Sequence, residues 1–333
     1  MLRYWLAVLA LAAGLGLLSC SKGPDAGDGA KAKVVLAGFD DMPDTLKAIK
    51  DGGCAFALAQ KTYKMGWLSV EKLLDATNGK PMDGQIDTGI QIIRKNNVAS
   101  YMDDMKKEIQ ETAKSSATTP PPAGKKLTFV MVPKGVHPYY DPCWQGFQEA
   151  AKKYGIEVEF RAPKEFELPQ QVEVLENLVS RKVDGIAISA VDDKGLVNVI
   201  KQATDAGIKV VTFDAPAPSS AALCYIGTLN PEAGYVAGVE FAKELNYDGE
   251  IAILQGGLGA PNLNDRYAGF TKAIGEKAPK MKIVAREDTA GKLEVATSKT
   301  ENLLSAHPNL KGVFGVSAEC IPGAATALKT QNR

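Results

Sequence analysis

Histidine is nearly absent from this chain: 333 residues contain only His137 and His307. No histidine stands near a cysteine at metal-ligand spacing, and none of the five cysteines forms a CxxC pair. A zinc site is therefore not expected. Net charge is also missing. Lys plus Arg number 39, as do Asp plus Glu, and the two signs are interspersed. Such a balance offers no basic face for nucleic acid. No nucleophile–base set emerges along the chain, so an enzyme is not expected, and nothing calls for a cofactor. The one long apolar run, Trp5 to Leu18, has about 14 residues, short of the roughly 20 that span a bilayer.

That run follows Arg3 and has the form of an exported signal peptide over residues 1–20. It ends in Leu17-Leu18-Ser19-Cys20, which resembles a bacterial lipobox. The resemblance implies that Cys20 becomes the lipidated first residue of the mature protein; an ordinary secretory signal is the alternative. Acyl chains contribute about 0.8 kcal/mol per buried CH2, so several of them anchor a domain durably. Residues 21–30 are polar and rich in Gly, Asp and Ala, a flexible tether. Export permits disulfides among Cys54, Cys143, Cys224 and Cys320. Spacing does not choose between one bridge and four buried thiols.

The remaining body is long enough for two lobes with real cores. Short apolar runs read as strands at Val34–Leu36, Ala55–Leu58, Leu127–Val132, Val158–Phe160, Gly185–Ser189, Lys209–Phe213, Tyr225–Gly227, Glu250–Leu254, Lys282–Val284 and Gly312–Val316. Between them lie amphipathic stretches, as at Trp144–Tyr154, where apolar residues recur every three or four positions until Gly155. This alternation implies βαβ units in parallel sheets covered on both faces. The order is odd, however. The strand at Leu310–Glu319 is followed by a helix start at Pro322 and by no further strand, while Ala32–Gly53 supplies an orphan strand and helix near the other end. A circular permutation is the simplest reading. Met102–Lys114 has a charged helical pattern and precedes SSATTPPPAGKK, whose Pro120–Pro122 should be extended. Residues 102–125 then form the linker joining the ancestral termini. The alternative, a boundary between unrelated domains, is opposed by the fragmentary make-up of Lys31–Asn97.

Taken from Lys126 to Arg333 and then Lys31 to Asn97, the chain resembles the ribose- and galactose-type sugar-binding proteins of bacterial ABC transporters. The motifs are HPYYDPCWQGFQEAAKKYG, VDGIAISAVD, AGIKVVTFDAP, YIGTLNPEAG, ILQGGLGAPNLNDRYAGF, LLSAHPNLKGVFG, VVLAGFDDMPDTLKAIKDG and ALAQKTYKMG, in the family's cyclic order. The resemblance implies two doubly wound parallel-sheet (Rossmann-like) lobes joined by a three-segment hinge, with ligand held between them. One lobe takes residues 61–86 and 126–229; the other takes 31–60, 87–101 and 230–333. It further implies a monomeric, lipid-anchored receptor in the bacterial cell envelope that hands a monosaccharide or polyol to an ABC permease. A sensor presenting ligand to a chemoreceptor or histidine kinase would share the fold. A repressor is opposed by the signal peptide and by the lack of a helix-turn-helix; a glycosidase is the enzymatic alternative.

A sugar site needs aromatic faces for C–H stacking, with carboxylates, amides and an Arg for hydroxyls. The resemblance places His137, Tyr139 and Tyr140 after the first strand of the core, as a polar residue and two stackers; the competing role of a tyrosine is core. Asp214, at the end of VVTFD, matches the acid that takes sugar hydroxyls, or else is a turn acid. Ala215 stands where ribose-type relatives often carry Arg, which counts against ribose. Ser189 occupies a position often held by Asn. Asn262 and Arg266 are four apart and share a helix face; Arg266 matches the ligand Arg. Asp40 and Gln60 match an acid and a hinge-side Gln, and Ser317 stands where an amide is common. Gly256-Gly257-Leu258-Gly259 lacks the P-loop Lys and reads as a tight loop before a helix. The adjacent acids Asp192-Asp193 and Asp40-Asp41 resemble catalytic pairs but more simply cap helices.

Overall fold

The structure is a computed structural model that describes residues 33–115 and 119–333. The signal peptide with Cys20, the tether at 21–30 and residues 116–118 of the linker lie outside the described residues.

Two sheets of six strands organise the body. The first contains β1 (Val35–Phe39), β2 (Phe56–Gln60), β4 (Ile90–Arg94), β10 (Asp248–Gln255), β11 (Lys280–Asp288) and β12 (Leu310–Gly315), in the order β11-β10-β12-β1-β2-β4. The second contains β3 (Gln85–Asp87), β5 (Thr128–Val132), β6 (Glu157–Phe160), β7 (Gly185–Ile188), β8 (Lys209–Phe213) and β9 (Tyr225–Gly227), in the order β3-β9-β8-β7-β5-β6. The fold is therefore two α/β lobes, as expected, with one correction: β4 pairs antiparallel with β2 at the sheet edge. Only two residues separate β3 from β4, so the chain changes lobe and direction there without a crossover helix.

Period-two alternation sorts each strand between two cores. In the first sheet, Leu36, Leu254 and Val313 enter one cluster, while Ala37, Ile253 and Phe314 enter the cluster on the opposite face. In the second, Phe129, Met131 and Val211 face one way and Val130, Val132 and Val210 the other. Helices cover both faces. The pair α7 (Asn230–Glu244) and α8 (Pro261–Lys277) lies over Phe314, and α9 (Leu293–Ala306) with α10 (Cys320–Thr330) lies over Val313. The helices α2 (Thr62–Thr77) and α4 (Asp141–Tyr154) cover one side of the second sheet, and α5 (Leu168–Arg181) with α6 (Val197–Asp205) the other.

β1, from near the start of the chain, lies parallel to β12, from near its end, with Leu36 opposite Val313 and Gly38 opposite Gly315. The strands meet so closely that a Cβ on Gly38 would stand 2.4 Å from the Gly315 carbonyl oxygen. The register therefore requires glycine at position 38. β1 in turn pairs with β2 through α1 (Pro43–Asp51), and residues 33–97 form no sheet of their own. α3 (Val98–Ser115) begins at the end of β4 and continues through the charged stretch beyond position 101 without a break. The four described cysteines are buried free thiols, which settles the disulfide alternatives for these residues.

Phe314 is the hub of the first lobe. Its ring stacks on Phe270 at 4.3 Å between centroids and meets Phe241 at 5.4 Å and Phe39 at 6.2 Å. Phe314→Ala should cost about 3 to 5 kcal/mol. Urea unfolding should show the lower midpoint with one transition spanning both chain ends. Two separable transitions, one of them from residues 33–97, would show that β1 does not depend on β12.

Candidate functional site

The parallel strands of both sheets point their C-terminal ends at one cleft. Asp40 directly follows β1 and Asp214 directly follows β8, each in a left-handed conformation (φ 73° and 58°) that Asp tolerates better than most residues. Their backbone amides stay in the ladders, bonding to Leu58 O and Ile226 O. The carboxylates are thereby turned out of the sheets into the cleft. Gln60 is the last residue of β2, and Ser317 follows β12, which ends at Gly315 rather than running on to Glu319. Asn262 and Arg266 lie one turn apart at the start of α8. α8 is held tightly to α7: a Cβ on Gly234 would come within 2.1 Å of the Arg266 carbonyl oxygen.

These residues border a small cavity between the lobes, where aromatic rings and convergent polar groups meet as they do in small-ligand sites. Asp40, Gln60, His137, Tyr139, Tyr140, Asp214, Asn262, Arg266 and Ser317 all line it. Ser189 does not: it is fully buried behind Asp214 and donates to Oδ2 at 2.7 Å. Six further residues line it beyond the expected site: Lys134, Phe166, Gly256, Leu263, Ala318 and Glu319. Lys134 carried no usable signal, since a lone lysine just past a strand such as TFVMV is ordinary. Phe166, in the loop after β6, carried none.

Asp214 is surrounded by donors. Its Oδ1 accepts from Tyr139 OH at 2.9 Å and from Asn262 Nδ2 at 3.3 Å. Its Oδ2 accepts from Ser189, from Lys134 Nζ at 3.1 Å and from Tyr140 OH at 3.2 Å. Lys134 Nζ also donates to Asn262 Oδ1 at 3.0 Å, so one ammonium joins the two lobes. Burial would raise the Asp214 carboxyl, but Lys134, Arg266 and Ser189 together hold it below its ordinary value. Burial lowers the Lys134 ammonium against the opposing pull of Asp214. The tyrosine hydroxyls reach the acid and act as more than stacking faces; Tyr139 and Tyr140 also pack edge to face at 5.1 Å.

Asp40 differs. It accepts from Gln60 Nε2 at 2.8 Å, and Gln60 Oε1 accepts from Thr228 at 3.0 Å across the hinge. Burial dominates and pushes its carboxyl up to about 7, against the lowering effects of Arg266 and Gln60. Arg266 is 1% exposed, stacks over Phe39 at 4.4 Å and donates to Asn230 Oδ1 at 2.8 Å. Its Nη2 has no hydrogen-bond partner in the protein. His137 accepts from the Tyr139 amide at Nδ1, which leaves Nε2 as the protonated nitrogen; burial lowers its basicity.

Beside the cavity, Gly256 N–H donates to Ser317 Oγ at 2.8 Å and Ser317 donates to Glu319 at 2.8 Å, so the Gly-rich loop is tied to the β12 loop. Asp192 accepts from the amides of Lys194 and Gly195, as a capping acid would. His307 sits at the C-terminal end of α9.

Fold and cleft define a two-lobed α/β binding protein. Residues 128–333 match the family described as periplasmic binding protein domain. The chain belongs to this family. A D-ribose/D-allose-binding protein of Pseudomonas aeruginosa is 29% identical over 175 residues, 51% of this chain and 54% of that protein. The ribose import binding protein of Bacillus subtilis is 24% identical over 197 residues, 59% of this chain and 63% of its own length. The chain thus spans little more than half the length of these relatives. An ABC transporter solute-binding protein from Burkholderia graminis, solved in complex with D-arabinose, is 40% identical, with a TM-score of 0.61 over 63% of this chain and 72% of that one.

The raised Asp40 carboxyl gives a signed pH effect. Between its ordinary value of 3.8 and about 7, the folded protein holds a proton that the unfolded chain has released. The Asp40 contribution to stability therefore falls as pH rises through that window. Without ligand, Asp40→Asn should melt with the parent near pH 4 and several degrees above it at pH 8. Parallel melting curves across this range would contradict the assignment.

Proposed function

We propose that this protein captures a monosaccharide or related polyol in the inter-lobe cleft, without converting it, and delivers it to an ABC permease. The observation that carries the reading is Arg266, which borders the cavity and whose buried Nη2 has no hydrogen-bond partner in the protein. A ligand hydroxyl or ring oxygen would satisfy it, since leaving a buried polar group unpaired costs about 1 to 3 kcal/mol. Asp40, Gln60 and Asn262 offer further polar contacts, and Tyr139, Tyr140 and Phe166 supply apolar faces. Asp214 acts as the acid that fixes the donors around it. Relatives that bind ribose, allose or arabinose support a sugar.

On this reading the sequence is circularly permuted, with α10 leading into β1 in the ancestral order. The parallel β1–β12 pair supports it, as does the packing of α10 on β1 where a crossover helix would lie. The lobes exchange chain at three points, after Gln60, between Asp87 and Ile90, and between Gly227 and Asn230. The protein acts as a monomer tethered to the cell envelope through lipidated Cys20.

A thermal-shift screen of pentoses, hexoses and polyols should single out one group of sugars, since ligand at 100 times Kd adds about 2.7 kcal/mol. Asp40→Ala should weaken that sugar at least tenfold while the fold persists. Asp214→Ala should lose binding and stability together, because Lys134 would be left as a buried, unpaired charge. A screen in which no sugar shifts the melting point, or an Asp40→Ala protein with unchanged affinity, would overturn the reading. Cys20→Ser should move the protein from the membrane fraction to the soluble fraction; retention in the membrane would disprove the anchor.

A further inference from the structure

The chain crosses between the lobes once more, through α3, and this helix is not a free tether. Its first turns belong to the first lobe: Tyr101 is 2% exposed within that lobe's core cluster. Farther along, Ile109 and Ala113 pack against the core cluster of the second lobe, and Lys153 Nζ on α4 donates to the Ala113 carbonyl at 3.0 Å. An α-helix of 18 residues is a rod of about 27 Å. One rigid element is therefore seated on both lobes at once.

Its polar attachments fall beside the two cleft residues of the first sheet. Tyr101 OH donates to Asp41 Oδ2 at 2.6 Å, one residue past Asp40. Glu108 pairs with Lys61, one residue past Gln60, at the point where β2 hands the chain to α2 and the other lobe. Lys61 Nζ also donates to Gln91 Oε1 at 3.0 Å, on the strand after the second crossover. Both partners are well shielded: Lys61 and Glu108 side chains are 18% and 28% exposed. Behind Gln60, a second cavity is walled by Tyr101, Met105 and Glu108 on one side and by Pro142 and Gln145 of α4 on the other. In this arrangement these α3 attachments coexist with Lys134 and Asp214 of one lobe bonding Asn262 of the other, the mark of a closed cleft. Swinging the lobes apart about residues 60 and 61 carries the α4 side away from the Tyr101 side, and a rigid helix cannot follow both.

We propose that α3 is a strap across the hinge, in which Tyr101 and Glu108 act as positioning residues that hold Asp40 and Gln60 in register and bias the lobes toward closure. The purpose of the strap rests on the cleft-binding reading. Its existence does not, so the test is made without ligand.

Nitroxide labels at Glu167→Cys and Glu294→Cys, exposed positions beside the cleft mouth on opposite lobes, report the opening by electron–electron distance measurement on the full chain. The parent should be dominated by the short, closed distance. Adding Tyr101→Phe and Glu108→Gln should at least double the long-distance population while the melting point shows a protein still folded. Exchanging the charges, Lys61→Glu with Glu108→Lys, should restore the parent distribution. A double variant as closed as the parent would overturn the strap. So would a charge exchange as open as Glu108→Gln alone, because the ion pair would then not be what restrains the hinge. Failure of the sugar screen would leave these distances unaffected, which separates the two ideas.

Discussion

The parallel pairing of β1 with β12 is the constraint on which the rest of the molecule depends. It joins strands from opposite ends of the chain at a glycine contact that admits no side chain. Placed between β12 and β2, β1 completes a sheet that would otherwise have two open edges in its middle. It also carries Phe39 into the cluster around Phe314 and sets Asp40 beside the Ser317 loop. Core and cleft are thus built by the same pairing: the hydrophobic contacts that fix the register also aim the carboxylate.

Two acids in like positions are used differently. Asp214 takes donors from four segments, one of them supplying a cation, so its charge is compensated before any ligand enters. A buried ion pair of this kind contributes little net stability, because desolvation offsets the attraction. Its effect is geometric: Lys134, Tyr139, Tyr140 and Asn262 each acquire one orientation. Asp40 has one side-chain donor, Gln60, and its carboxyl sits near neutrality. Together with the unpartnered nitrogen of Arg266, it leaves hydrogen-bonding capacity on the first-lobe side of the cleft. The site is thus fixed on one wall and adaptable on the other, and α3 braces the adaptable side through Asp41 and Lys61.

Much of this was legible in the residues. Strands such as VLAGF and TFVMV are apolar at successive positions because both of their faces are covered, and the structure places them in sheets within a few residues of the expected bounds. The left-handed acids at strand ends were readable as site candidates, as were Asn262 and Arg266, because one helical turn separates them. Ser189 could not be told from a lining residue: whether a strand-end hydroxyl faces a cavity or the acid beside it depends on the neighbouring strand. Lys134 was passed over because a single lysine after a strand is ordinary. It becomes unusual only when burial and Asp214 are known. The antiparallel β4 was equally hidden, since a short strand such as IQIIR does not encode its direction.

The sequence by itself determined which segments are strands and helices, because hydrophobic period is a local property that burial on one or two faces imposes. It determined much of the cleft's lining as well, since strand-end residues of a parallel sheet converge at one edge. Only the tertiary structure decided that β4 runs antiparallel, which hydroxyls are spent on Asp214, and that α3 is seated on both lobes. Those outcomes depend on distances between groups far apart in sequence, where close packing and the pairing of buried charge leave one arrangement.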